Sequence, residues 1–247
     1  MTLTQSLARS CFVLFAIMGV ACVPSRLGAQ SIDTPAKQAF MVDFDTGAVM
    51  LEKNSDESMH PASMSKLMTL YMVFDRLQKK TLSLDDTFVV SEKAWRMGGS
   101  KMFVDINSRV KVVDLLHGII IQSGNDACIV IAEGLSGSET AFSDEMTRMG
   151  REIGLTNSVF KNSTGWPDPD HKMTARDIAH LSKRIIEKFP DYYKFFSETT
   201  YTYNRIRQGN RNPLLYGTPG ADGLKTGHTE ESGYGLAASV LREGRRV

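Results

Sequence analysis

The sequence is poor in the features that mark disulfide-rich, nucleic-acid-binding or membrane-spanning proteins. It contains three cysteines in 247 residues, and two of them, Cys11 and Cys22, lie near the N-terminus. If that segment is removed, Cys128 has no intrachain disulfide partner. Its place in the apolar run 127–131 predicts a buried thiol, and no neighbouring residue could act as its base. The formal net charge of +1 gives no support to a nucleic-acid partner.

No apolar run is long enough to span a bilayer comfortably. The run 10–23 follows the positive charge of Arg9 and precedes the small residues of Leu27-Gly28-Ala29, an order typical of a cleaved signal peptide. We therefore predict a signal peptide over residues 1–30 and an exported protein of the periplasm or cell envelope. Residues 31–247 would form one folded domain. A retained membrane anchor is the alternative.

Strand patterns flank a long helical block. A capping-box pattern at Thr174-Ala175-Arg176-Asp177 marks the start of one helix in that block. Strands, then helices, then strands predict an α+β fold with an antiparallel sheet and a helical cluster. The predicted segments are strands at 39–44, 48–53, 199–205 and from 224 onward, with helical periodicity over 65–196.

Ser63-Met64-Ser65-Lys66 places a hydroxyl and an amine one helical turn apart. Pro61 and Ser63 are typical of a helix start, and apolar residues at helical spacing follow Lys66. We therefore expect the amine of Lys66 to reach Ser63, with the positive end of the helix dipole directed at the hydroxyl. A second match to the same spacing, Ser158 to Lys161, lies in a predicted loop or short strand and is assigned no chemistry.

Two further short motifs follow in the chain. Ser123-Gly124-Asn125 separates the apolar stretches 112–121 and 127–135, which predicts a loop between two buried helices. Lys225-Thr226-Gly227 begins after a turn and precedes a strand pattern at 234–241, which predicts an antiparallel hairpin. Each motif alone is common, but the three in this order resemble the set found in class A β-lactamases and penicillin-binding proteins.

Residues 36–247 as a whole resemble the low-molecular-mass penicillin-binding proteins that are serine D-alanyl-D-alanine carboxypeptidases. The resemblance is carried by segments 61–69, 122–127 and 222–229. It implies a β-lactamase/transpeptidase-like fold. It also implies removal of the terminal D-alanine from peptidoglycan stem pentapeptides and acylation by β-lactam antibiotics. It implies no metal and no cofactor.

The resemblance also implies a role for each motif residue. Ser63 would be the nucleophile and Lys66 its base, with the lysine pKa lowered by desolvation and by the charge of Lys225. Ser123 would relay a proton to the leaving amine. The implied substrate-binding residues are Asn125 for the amide, Lys225 and Thr226 for the carboxylate, and the Gly227–His228 segment, whose His228 N–H would complete an oxyanion hole with the Ser63 N–H.

The pattern departs from that of class A β-lactamases at the deacylating glutamate. The nearest candidate, Glu152, misses the expected motif by one residue and falls at the end of a predicted helix that stops at Gly154. We expect Glu152 to be a surface residue outside the site. A β-lactamase or a D,D-endopeptidase remains an alternative function, and so does a non-catalytic fragment that binds peptidoglycan or β-lactam.

The last part of the chain differs from the resembling family. The chain turns at Glu243-Gly244 and ends at Val247, at the start of a strand expected to pair with the N-terminal hairpin. We expect this edge of the sheet to be incomplete and the chain to be poorly stable and weakly active. Membrane association would then depend on a further C-terminal region or on an uncleaved signal peptide.

Overall fold

The computed structural model describes residues 34–247, and the predicted signal peptide over 1–30 lies outside the described residues. Antiparallel strands and a helical cluster make up this part of the chain, as the α+β prediction required. The strands are β1 (Ala39–Val42), β2 (Val49–Lys53), β3 (Thr87–Val89), β4 (Arg109–Lys111), β5 (Thr200–Tyr203), β6 (Ile206–Gly209), β7 (Ala221–Thr229), β8 (Gly233–Arg242) and β9 (Arg245–Arg246). The helices are α1 (Lys66–Gln78), α2 (Glu92–Arg96), α3 (Val112–Ile121), α4 (Asn125–Ser136), α5 (Glu139–Glu152), α6 (Ala175–Lys188), α7 (Pro190–Tyr193) and α8 (Leu214–Gly217), with 3₁₀ turns at Ala62–Ser65 and Lys194–Ser197.

The strands pair as β1–β2, β3–β4, β5–β6 and β7–β8–β9, and every ladder is antiparallel. The N-terminal hairpin and the β7–β8 hairpin confirm the predictions made for them. The prediction of helical structure throughout 65–196 is wrong at the ladder β3–β4, which lies within that range. Each of its strands has three residues, and the two are joined by a long connection, so no local alternation of apolar residues indicated them.

The helical cluster encloses an apolar core centred on α1, α3 and α4. Leu67, Leu70 and Phe74 of α1 are fully buried, as are Ile119 of α3 and Ile129 of α4. Burying a side chain of this size contributes roughly 1.5–3 kcal/mol to folding. The three helices are thereby fixed relative to one another. This matters for the site, because α1 and α4 each carry a site residue at their first position.

Two helix boundaries confirm their sequence signals. The Thr174 hydroxyl accepts a hydrogen bond from the Asp177 N–H at the start of α6, as the capping pattern predicted. Asp177 in turn accepts a hydrogen bond from the Ser158 hydroxyl at 2.7 Å, so Ser158 has a structural partner. Glu152 ends α5 with 53% of its side chain exposed and pairs with Arg148. It is therefore the surface residue that the sequence predicted.

Residues 245–247 contact both the hairpin β7–β8 and the N-terminal hairpin. The carbonyl of Arg246 accepts a hydrogen bond from the Phe44 N–H at 2.8 Å, and Val247 pairs with Val240 of β8. Arg245 forms an ion pair with Asp43 at 2.7 Å. The chain after β8 therefore follows the course of the strand that the resemblance implied.

Candidate active site

Ser63 and Lys66 lie side by side where a 3₁₀ turn leads into α1. The Lys66 ammonium donates to the Ser63 Oγ at 2.8 Å, so the one-turn spacing of the motif brings the two groups together as predicted. The same Nζ donates to the Asn125 Oδ1 at 2.8 Å and to the Thr164 carbonyl at 2.6 Å. Lys66 is fully buried. Three separate segments of the chain therefore hold this lysine against the serine.

The environment of Lys66 favours its neutral form. Burial and, to a smaller extent, the positive charge of Arg211 lower the pKa of Lys66 to about 8, while Cys128 and Asp126 oppose the change. The expectation of burial as a cause is confirmed, but the cation whose charge lowers the Lys66 pKa is Arg211 and not Lys225 as expected. Burial also lowers the pKa of Lys225 well below its usual range, and there the charge of Lys66 contributes.

Ser123 lies between α3 and α4 in a conformation that serine rarely adopts. Its φ of 64° is in the left-handed region, which costs roughly 1–3 kcal/mol for a residue with a side chain. The loop is held by backbone hydrogen bonds from Gly124 to Gly118 and from Asn125 to Ser100. The Ser123 Oγ accepts a hydrogen bond from the Lys225 Nζ at 2.9 Å. The left-handed turn thus presents the hydroxyl to the second lysine.

Asn125 is the first residue of α4, and both ends of its amide have partners. Its Oδ1 accepts from Lys66, and its Nδ2 donates to the Gly98 carbonyl at 2.9 Å. Because a side-chain amide has two N–H donors, one remains for a ligand. These contacts fix the orientation of the amide group.

Asp126 organises the loop beside Asn125 and was not identified from the sequence. Its buried carboxylate accepts hydrogen bonds from the N–H groups of Met102, Phe103 and Val104 at 2.9, 2.9 and 3.3 Å. A carboxylate in the first turn of α4 is also favoured by the helix dipole. Asp126 therefore holds the loop that provides the Gly98 carbonyl.

The segment 162–166, for which the sequence predicted no role, forms a turn that reaches the nucleophile. The Asn162 Oδ1 accepts from the backbone N–H groups of Thr164, Gly165 and Trp166 at 2.8–3.1 Å. This turn directs the Thr164 carbonyl at Lys66. The signal that could have revealed it was Asn162 followed at three residues by glycine, since asparagine side chains often cap such turns.

The strand β7 carries Lys225-Thr226-Gly227-His228 beside the nucleophile. A β-carbon on Gly227 would lie 3.0 Å from the Pro61 carbonyl oxygen and 3.2 Å from the Met64 nitrogen. Glycine therefore allows β7 to run close to the segment that contains Ser63. The ring of His228 is exposed and stacks on Tyr234 of β8 at 4.1 Å. This agrees with a role for the His228 backbone and not for its ring.

Arg211 brings a further positive charge near the site and was also missed by sequence reasoning. Its guanidinium donates to the Ser100 Oγ at 2.5 Å, and its charge lowers the pKa of both Lys66 and Lys225. Arg211 lies in a loop before α8 and belongs to none of the three motifs. A guanidinium cation near two buried lysines favours the binding of an anion.

The cysteine of α4 is close to this charge cluster but chemically inert. Cys128 is fully buried, as predicted, and burial raises the pKa of its thiol to about 12. A neutral thiol is a poor nucleophile. Within residues 34–247, no group of three or more His, Cys, Asp or Glu side chains is placed to hold a metal ion.

A serine hydrogen-bonded to a buried lysine, beside a strand that carries Lys-Thr-Gly, is the arrangement typical of the class of acyl-serine enzymes that includes penicillin-binding proteins. Comparison with known sequences agrees with this assignment. Residues 25–247 match the model of the peptidase S11 family, described as D-alanyl-D-alanine carboxypeptidase. The chain belongs to this family.

Several curated relatives bear names from the same family. D-alanyl-D-alanine carboxypeptidase DacA of Haemophilus influenzae is 37% identical over 94% of this chain and 60% of that protein. The protein DacC of Escherichia coli is 39% identical over 88% of this chain and 57% of that protein. The chain thus spans about three fifths of the length of these relatives. A D-alanyl-D-alanine endopeptidase of Escherichia coli is 30% identical over 98% of this chain and 79% of that protein.

Solved structures share the fold. D-alanyl-D-alanine carboxypeptidase DacD from Francisella tularensis has a TM-score of 0.88 at 30% identity, covering 94% of this chain and 69% of that one. Penicillin-binding protein 5 from Haemophilus influenzae has a TM-score of 0.82 at 37% identity, covering 87% and 65%. The α+β transpeptidase-like fold predicted from the sequence is confirmed.

Proposed function

We propose that this protein is an exported serine D-alanyl-D-alanine carboxypeptidase. It removes the terminal D-alanine from peptidoglycan stem pentapeptides through an acyl-enzyme on Ser63, and β-lactams acylate the same serine. The observation that carries the proposal is the 2.8 Å contact between the Lys66 Nζ and the Ser63 Oγ in a buried site. The names of the relatives support the choice of substrate.

Lys66 is arranged to act as the base when it is neutral. A neutral amine has two N–H donors and one lone pair. The Asn125 Oδ1 and the Thr164 carbonyl accept the two N–H groups, so the lone pair faces the Ser63 hydroxyl. Ser63 then attacks the carbonyl carbon between the two D-alanines, and its proton passes to Lys66. The backbone N–H groups of Ser63 and His228 stabilise the resulting oxyanion.

The leaving D-alanine departs on the Ser123 side of the site. Its nitrogen receives, through the Ser123 hydroxyl, the proton that Lys66 took from Ser63, and Lys66 is thereby neutral again. A hydrogen bond with Lys225 holds the Ser123 hydroxyl in place. Its carboxylate binds to Lys225 and Thr226, and Arg211 contributes a further positive charge. A bound carboxylate favours the charged form of Lys225, so substrate binding itself restores the cation that burial disfavours.

Water hydrolyses the acyl-enzyme, with Lys66 again as the base. A peptide's leaving group diffuses away and admits water, whereas a β-lactam's amine stays tethered to the acyl group and obstructs it. A β-lactamase would need an additional, well-placed base. Glu152 does not supply one, since it is exposed at the end of α5 and pairs with Arg148.

The proposal is tested by intact mass spectrometry of the full chain mixed with a penicillin. We expect a persistent adduct that is lost in Ser63→Ala and Lys66→Ala, together with release of D-alanine from a stem pentapeptide. Lys161→Ala is the matched control for Lys66, because it alters the lysine of the second Ser-x-x-Lys sequence, which is exposed and outside the site.

Other outcomes would identify the alternatives. Consumption of penicillin without a lasting adduct would indicate a β-lactamase. Cleavage of crosslinked stem-peptide dimers would indicate a D,D-endopeptidase. Binding of penicillin or stem peptide with neither an adduct nor D-alanine release would indicate a binding protein.

The cellular location belongs to the same proposal. Removal of the N-terminal segment 1–30 on export would place the domain in the periplasm, where its substrate lies. Over the described range 34–247, no helix has both the length and the apolar character needed to cross a membrane. N-terminal sequencing of the protein recovered from the cell envelope tests this, and a mature start near residue 31 is expected.

A further inference from the structure

A cluster of three charged or titratable side chains lies beside the nucleophile segment and has no part in the mechanism above. His60 lies three residues before Ser63. Its imidazole Nε2 is 2.5 Å from the Lys172 Nζ and 2.8 Å from the Glu231 Oε1. Lys172 follows the turn at 162–166, and Glu231 lies in the turn that joins β7 to β8. The cluster therefore links three segments that each contribute to the site.

The backbone holds each member of the cluster in place. Met59 and Met173 form an antiparallel bridge, which aligns the segments of His60 and Lys172. The turn that carries Glu231 is closed by the Thr229 hydroxyl, which accepts a hydrogen bond from the Ser232 N–H at 3.0 Å. The position of each side chain in the cluster is therefore set by the segment that carries it.

The two partners of the His60 Nε2 require opposite hydrogen-bonding roles of this nitrogen. A lysine ammonium only donates hydrogen bonds, and an ionised carboxylate only accepts them. The ring nitrogen can accept from Lys172 when it carries no proton, or donate to Glu231 when it does. It cannot do both at once, so the protonation state of His60 selects its partner.

We propose that His60 is a positioning residue that holds the β7–β8 hairpin onto the nucleophile segment when its ring is protonated. Protonated His60 binds Glu231 and draws the tip of the hairpin toward Pro61. Neutral His60 instead accepts from Lys172 and releases Glu231. The inference rests on the proposed function, because β7 carries Thr226 and the His228 N–H that the reaction uses. Ser63 and Lys66 stay together in both states, since the continuous 3₁₀ turn and α1 carry them.

A second histidine near His60 does not change its charge over the range in which imidazole side chains usually titrate. Burial lowers the pKa of His171 to about 4, with Asp168 opposing the change and the charges of His60 and Lys66 adding to it. His171 is thus neutral near pH 6–7, where histidine side chains usually change charge.

The first test compares rates of acylation by a fluorescent penicillin in the full chain from pH 5 to 9. The ratio of wild-type to His60→Gln rates cancels the titration of Lys66. We expect this ratio to be about two- to fivefold at pH 5, the size of a partly exposed ion pair, and to approach one above pH 8. Glu231→Gln should give the same pH-dependent ratio. Glu230→Gln is the matched control, since it removes the same charge from the same turn, and its ratio should not depend on pH.

A flat ratio for His60→Gln, or an equal effect of Glu230→Gln, would overturn the inference. A wild-type chain that penicillin does not acylate would instead contradict the proposed function. A second measurement is independent of activity. Hydrogen exchange of the 230–233 turn, corrected for intrinsic rates, should accelerate as pH rises from 5 to 8 in wild type but not in His60→Gln. Equal pH dependence in both proteins would also reject the inference.

Discussion

Gly165 packs so closely against Ala62 that a β-carbon at position 165 would lie 1.9 Å from the Ala62 carbonyl oxygen. Gly165 also has a φ of 78°, a conformation that glycine adopts without strain. Because glycine has no β-carbon and adopts this left-handed conformation without strain, the turn at 162–166 can come close to the segment that contains Ser63. This close approach also determines where the Thr164 carbonyl meets Lys66.

We therefore expect Gly165→Ala to lower both stability and activity. The combination of a left-handed alanine and a backbone clash should cost about 2–4 kcal/mol of unfolding free energy. Gly137→Ala is the control, because Gly137 has a similar φ of 74° and open space around it. That variant should lose about 1–2 kcal/mol and keep its acylation rate. Equal losses in the two variants, measured by denaturant unfolding, would show that the close contact has no effect.

The lowered pKa of Lys66 predicts how acylation depends on pH. Only the neutral amine can take the Ser63 proton, and its fraction rises about tenfold per pH unit below the pKa and then levels off. Acylation should therefore increase with pH and reach a plateau above about pH 8. Lys66→Ala should reduce the rate by roughly 10²–10⁴-fold. A wild-type rate that is constant from pH 6 to 9 would contradict a neutral Lys66 as the base.

Arg211 is expected to act mainly on substrate binding. Arg211→Met removes a positive charge near the carboxylate site, so KM should rise about tenfold while kcat changes less. A stem peptide whose terminal carboxylate is amidated should respond little to the substitution. Arg207→Met, on the exposed strand β6, is the matched control. Equal effects on the free and amidated peptides would place Arg211 outside the carboxylate site.

Asp126 is expected to matter chiefly for the stability of the loop that it binds. Asp126→Asn keeps the shape but loses one acceptor of the buried N–H groups, which should cost about 1–3 kcal/mol of stability. Hydrogen exchange should increase at Met102 and Phe103, whose N–H groups it binds. Asp170→Asn, an exposed change, should leave both unfolding and exchange unaltered. Unchanged exchange in Asp126→Asn would mean that the loop is held by other contacts.

Much of the fold followed from local patterns, whereas the roles of the site residues were implied by the family resemblance. The spacing of Ser63 and Lys66, the cap at Thr174 and the hairpin turns each depend on residues within a few positions of one another. The meeting of the three motifs at one point was implied by the family resemblance and not by any local pattern. The pairing of Lys66 with Asn125 and of Lys225 with Ser123 confirms it.

The features that the sequence did not reveal depend on distant segments. Lys66 and the Thr164 carbonyl are 98 positions apart, and a backbone oxygen has no identity in the sequence. In the sequence, Arg211 resembles an ordinary surface charge and Asp126 an ordinary charge at the start of a helix. Only the structure shows which groups surround them. The β3–β4 ladder joins two short segments across a long connection. In each case tertiary packing, and not local propensity, determined the outcome.

The three hydrogen bonds of Lys66 also make the geometry of the site depend on the docking of three separate segments of the chain. They join the lysine to Ser63 in the 3₁₀ turn before α1, to the start of α4 and to the turn at 162–166, so the amine faces the serine only when all three segments are docked. Displacement of one segment would separate the serine from its proposed base. In the proposed mechanism the site therefore becomes competent only when these segments have docked, and partly folded chains would neither cleave stem peptides nor be acylated by β-lactams.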